Sequence, residues 1–68
     1  MTPAEIKQAR QTLALSVAEF AFMLDTDALT VRRMEMDSSR STARKPAVRM
    51  QRLIRAYLDG YRPDDWPQ

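Results

Sequence analysis

A chain of 68 residues with neither Cys nor His amounts to one small domain, without a disulfide framework, a thiolate metal site or a histidine general base. Its 44% hydrophobic and 29% charged residues are the balance of a globular protein, and it has no apolar run near the roughly 18 residues of a membrane span, no signal-peptide pattern and no Gly-rich phosphate loop. The expectation is a cytoplasmic protein that is not an enzyme and has no cofactor, no metal, no membrane contact and no evident small-molecule ligand.

The single glycine, Gly60, and the scarcity of β-branched runs argue against sheets. In chain order, Thr2 reads as a cap, Pro3 as the first helical position and Glu5 as support for the helix dipole. Ile6, Ala9, Arg10 and Leu13 then share one face of a first helix ending near Thr12 or Leu13. Ser16 and Glu19 have the spacing of a capping box, with Leu15 and Phe20 placed for a hydrophobic staple. Val17, Phe20, Ala21 and Leu24 mark a second helix reaching about Leu24. Asp27 caps a third, in which Val31 and Met34 face inward. Residues 38–45 read as a polar loop. Pro46 suits the first turn of a fourth helix, whose apolar side is Ala47, Met50, Leu53, Ile54, Tyr57 and Leu58, joined by Val48. Gly60 ends it as a left-handed cap, and the Pro-broken tail is predicted to be extended. The fold class is all-α, a bundle of about four short helices, with a domain over residues 1–60 and a tail over 61–68.

The net charge of +2 hides an uneven distribution. Residues 32–55 carry eight basic side chains against two acidic ones, while residues 1–31 carry two against four and residues 56–68 one against three. A basic segment between acidic ends is the layout of a surface that faces phosphates, or else a solvated basic face without a partner.

Residues 17–35 carry the sharper signal. Two short helices joined by a tight turn need a small residue where they meet, and Ala21 is there. They need apolar anchors, which Phe20, Leu24, Val31 and Met34 provide. They need one residue tolerant of the left-handed conformation, and Asp25 occupies that place. A helical bundle that mimics this pattern is the alternative. From Ile6 to about Met36 the chain resembles the phage-repressor-like (Cro/CI, XRE) helix-turn-helix regulators. The segments that carry the resemblance are Leu15-Ser16, Ala-Glu-Phe-Ala at 18–21 and Thr-Val-Arg-Arg-Met-Glu at 30–35, with a weaker echo in the fourth helix. Four positions depart from the family pattern: Asp25 for a usual Gly, Thr26 for an apolar anchor, Val17 for a phosphate-contacting Gln and Met34 for a frequent Trp.

The resemblance implies a third helix that enters the major groove of duplex DNA. Ala28, Leu29, Arg32 and Arg33 are then the base-contacting candidates, arginine being suited to guanine and apolar side chains to thymine methyls. Partial burial in the core is the other reading of Leu29. Contacts to the DNA backbone fall to Ser16, Val17, Thr30, Ser38, Arg40, Arg44 and Lys45; for the loop residues a plain flexible linker is the alternative. The resemblance also implies an ion pair between Arg10 and Glu35 that fixes the third helix.

The apolar arc of the fourth helix suggests a symmetric homodimer through Val48, Ile54, Tyr57, Leu58, Tyr61 and Trp66, and Phe22 and Met23 look surplus to the core. The alternative is that Tyr61 and Trp66 close the monomer's own core. A two-fold dimer sets its reading helices about 34 Å apart, on an inverted-repeat operator. The expected function is transcriptional repression by promoter occupancy, including autoregulation, as in small anti-CRISPR-associated repressors. A protein-interaction module, or an antitoxin of a toxin–antitoxin pair, acting through the fourth helix is the alternative. RNA binding is less expected, because few aromatic residues are present to stack bases.

Overall fold

The computed structural model describes residues 1–36 and 45–67. Among them the chain is all-α, with helices α1 (Pro3–Thr12), α2 (Val17–Met23), α3 (Ala28–Met34) and α4 (Val48–Leu58) and no strand. Ser38, Arg40 and Arg44, three of the expected backbone contacts, lie outside the described residues.

Side chains start the first three helices. The Thr2 hydroxyl accepts the Glu5 N–H at 3.1 Å and the Glu5 carboxylate accepts the Thr2 N–H at 2.7 Å. Those bonds from Thr2 hold the Glu5 carboxyl below its ordinary pKa. Ser16 and Glu19 repeat the arrangement at 3.1 and 2.9 Å, and Asp27 accepts the Thr30 N–H at 2.6 Å. Each such cap stabilises its helix by about 1 kcal/mol.

α4 starts differently from the expectation. Pro46 is not in its first turn. The helix begins at Val48, behind an extended Ala47 that has no side-chain cap to offer. Gln51 secures this end instead, donating to the Pro46 carbonyl at 3.3 Å and accepting from the Met1 ammonium at 2.8 Å.

Three helices stop in the same way. After α1, the Ala14 N–H donates to the Gln11 carbonyl and Leu15 N–H to that of Arg10. After α2, Asp25 donates to Phe22 and Thr26 to Ala21; after α4, Gly60 donates to Tyr57 and Tyr61 to Ala56. This is the Schellman pattern, which needs a left-handed residue just past the helix. Those residues are Ala14 (φ 58), Asp25 (φ 56) and Gly60 (φ 107). Only the last has no Cβ to strain the turn.

All four helices feed one core. Ile6 of α1, Phe20 of α2, Val31 and Met34 of α3 and Ile54 of α4 are the largest fully buried side chains. Each is worth about 1.5–3 kcal/mol relative to exposure. α2 packs on α3 and α1 on α4. Leu15 and Leu24, in the links, are buried with them, and the small Ala21 is buried in the α2 face.

Several expectations need correction. Met23 is not surplus but buried, and only Phe22 stands out, 62% exposed. Val48 faces solvent rather than the core. Ile54 and Tyr57 are 0% and 2% exposed, so the monomer's own core consumes them and they have no surface left for a dimer. The tail is not extended. A turn returns it, the Trp66 N–H donating to the Pro63 carbonyl. The Trp66 ring then meets Tyr57 edge-on with centroids 5.0 Å apart. Trp66 thus closes the monomer's core, half-buried against it.

Candidate nucleic-acid interface

α3 is short, seven residues, and a helix of that length is not stable alone. It is held at both ends. Asp27 caps the start. At the far end Glu35, the C-cap residue, is clasped by the guanidinium of Arg10, Nε to Oε2 at 2.8 Å and Nη2 to Oε1 at 3.1 Å. Arg10 Nη1 also donates to the Leu15 carbonyl at 3.2 Å. One side chain therefore ties α1, the α1–α2 link and the end of α3 together. The hydrogen bonds to Glu35 raise the Arg10 pKa further, against the opposing effect of burial.

Held this way, α3 turns Val31 and Met34 inward and presents Leu29, Arg32 and Arg33 on the opposite side. Leu29 is 52% exposed, which removes the reading of it as a core residue. Arg32 is exposed, and Arg33, Ala28 and Thr30 are half-buried. Leu29 lies three residues from Arg32 and four from Arg33, so the three form one stripe. The helix contains no acidic residue, and Arg10–Glu35 is the ion pair found among the described residues. The outer stripe of α3 is thus cationic with an apolar member.

The remaining expected contacts lie on other elements than α3. Lys45 is exposed just ahead of α4. Ser16 is exposed, but its hydroxyl already accepts the Glu19 N–H, and Val17 is half-buried against the core. The Glu19 carboxylate closes this end of α2, so a phosphate approaching Ser16 or Val17 meets a like charge.

Two features are sharper in the structure than in the sequence. Arg49, Arg52 and Arg55 are all exposed on α4, three residues apart and therefore on neighbouring turns of one side. They belong to the basic segment 32–55, whose charge the sequence shows without showing that these three share one side of α4. Arg55 lies near enough to Glu5 to help lower that carboxyl's pKa. The other is the left-handed Ala14, a residue type that gives no signal for that conformation.

Among the described residues no group of acidic, His or Cys side chains is placed to hold a metal ion, and no helix is long and apolar enough to cross a membrane. No protein-family model, no curated protein and no solved structure matches the chain.

Proposed function

We propose that this protein is a sequence-specific duplex-DNA-binding regulator of the phage-repressor-like kind. In this reading α2 and α3 form its helix-turn-helix, and it represses transcription in the cytoplasm by occupying promoters, its own included. The observation that carries the reading is the outer stripe of α3. Leu29, Arg32 and Arg33 stand together on a short helix pinned at both ends by Asp27 and by the Arg10–Glu35 fork. A reading helix needs such pinning, because a contact to a base edge depends on placement to a fraction of an ångström. An arginine that meets guanine O6 and N7 is worth about 1–3 kcal/mol of base discrimination. Leu29 supplies an apolar surface for a thymine methyl.

Two chains on an inverted repeat complete the reading. Val48 and Leu58 remain exposed for contact between copies. They lie roughly 80° apart around the helix at its regular pitch.

DNase footprinting on the DNA upstream of the protein's own gene tests this. Two protected half-sites one helical turn apart, lost in Arg32→Ala/Arg33→Ala, are expected. Protection without dyad symmetry overturns the paired arrangement, and absence of protection at saturating protein overturns the autoregulatory reading.

A further inference from the structure

The end of the molecule formed by the last turn of α2, the α2–α3 link, α4 and the returning tail carries a groove of about 410 Å³. Phe22, Leu53, Tyr61 and the buried Tyr57 line it, together with the exposed Asp25 and Asp65. Among the described residues no lysine or arginine lines it. Phe22 and Tyr61 are 62% and 53% exposed, large aromatic surfaces that the fold leaves uncovered.

This groove is built, not incidental. The buried Tyr57 hydroxyl donates to the Met23 carbonyl at 3.0 Å, joining α4 to the end of α2. The Tyr61 ring stacks on that of Tyr57, the planes 3° apart and the centroids 5.9 Å apart. Arg62 donates to the Tyr57 and Tyr61 carbonyls, both at 2.8 Å. Its guanidinium lies 4.3 Å from the centre of the Trp66 ring, so the arginine between Tyr61 and Pro63 is already engaged. Asp25 is fixed by the left-handed turn that ends α2.

Aromatic faces attract cations through their quadrupole, and the two exposed carboxylates add to that attraction. The same carboxylates repel nucleic acid, which separates this surface from the α3 stripe. Among cations, a guanidinium suits the site best. It is flat, so it can lie against a phenol ring, and its fork pairs with a carboxylate. Phe22 and Tyr61 are open to solvent, so the groove covers only one side of an occupant. A side chain presented by a polypeptide, with its backbone outside, fits that shape.

We propose that this groove docks an arginine side chain, flanked by apolar residues, on a partner protein. The partner would sit against Asp25 and Thr26, the link that leads into α3, and so within reach of the helix assigned above to DNA. The docking does not depend on that assignment and can be read without DNA.

The test is an amide NMR titration of the full chain with the peptide acetyl-Leu-Arg-Leu-amide. Its analogue with citrulline for arginine, equal in shape but uncharged, is titrated alongside. Shifts confined to Phe22, Thr26, Leu53, Tyr61 and Asp65 are expected, with the citrulline peptide binding about fivefold more weakly or worse. Tyr61→Ala and the surface change Asp65→Asn should each weaken binding about fivefold. Asp65→Asn keeps the test valid even if Tyr61→Ala disturbs the tail. Equal binding of the two peptides, or shifts that miss the groove, overturns the proposal. So does sedimentation showing that the chain self-associates through this groove and that Phe22→Ser abolishes it, because the occupant is then a second copy.

Discussion

Arg10 and Glu35 stand 25 residues apart in sequence and meet in a two-bond fork, 2.8 and 3.1 Å long, with side chains only 15% and 10% exposed. The fork closes the far end of α3 against α1. Truncating either partner leaves a half-buried charge without its counterpart, so both Arg10→Met and Glu35→Gln should destabilise. The cost expected is about 2–4 kcal/mol, near the lower part of the range for fully buried pairs. Arg10→Met should be the worse of the two, because the Leu15 carbonyl loses its donor as well. Urea unfolding followed by circular dichroism checks the order. Negligible losses in both would show that the fork contributes little to holding α3, and equal losses would show that the bond to the Leu15 carbonyl adds nothing.

The two strained turns give a prediction of opposite sign. Ala14 and Asp25 hold φ near +58° and +56°, a conformation that costs an L-residue roughly 1–2 kcal/mol. Glycine removes the strain but adds freedom to the unfolded chain, worth about 0.4–1 kcal/mol against it. Ala14→Gly should therefore stabilise by up to about 1 kcal/mol, and Asp25→Gly by less, since Asp tolerates the conformation better. Thermal melts of the two variants measure this. A lower midpoint for Ala14→Gly contradicts it.

Much of this architecture is legible in the sequence because it is local. Capping residues at Thr2, Ser16 and Asp27 lie three positions from their partners, and the apolar spacing of α1 to α3 has a single consistent face. Asp25 announces its left-handed turn by type, whereas Ala14 does not, since nothing in alanine favours that conformation over the helix. The fate of the α4 surface is not local. Ile54, Tyr57 and Val48 all belong to one broad apolar arc in sequence. Which of them is covered depends on where α1, α2 and the tail come to rest. The return of Trp66 onto Tyr57 decides the tail, and Pro63 and Pro67 alone point to an extended segment. At the candidate site, exposure separates Leu29 from the core, which periodicity in a seven-residue helix does not do.

Tyr57 links alkaline stability to the same packing. Burial is the main cause that raises the Tyr57 phenol above its ordinary pKa of 10.0, and the neighbouring Tyr61 and Asp65 add to it. The folded state thus favours the neutral phenol. Below about pH 10 this contribution is fully present, and it is lost as pH rises from there through the higher folded-state value, because the unfolded chain ionises first. Tyr57→Phe should lack that part of the alkaline loss. At neutral pH it should be less stable by about 1–3 kcal/mol, the Met23 carbonyl being left without its donor. Unfolding midpoints of both proteins between pH 7 and 11 test the pair of effects; parallel pH profiles would contradict the first.

The arginines of α3 should separate by role. Replacing one that reads a base costs about 1–3 kcal/mol on the preferred sequence and relaxes preference at one position. Replacing one that holds a phosphate weakens binding to all sequences alike and lowers the salt slope by about one. Arg32→Ala and Arg33→Ala, compared on single-base variants of the footprinted site, show which is which. Unchanged affinity in both contradicts the assignment of the stripe.

The most direct test of the central claim is fluorescence anisotropy of labelled upstream duplex against a scrambled duplex of the same composition, titrated with the protein across a salt series. Tight binding to the upstream duplex alone is predicted. It should fall steeply with salt in proportion to the phosphates neutralised, and Arg32→Ala/Arg33→Ala should abolish it without lowering the melting temperature. Absence of binding to either duplex at low salt would contradict the account.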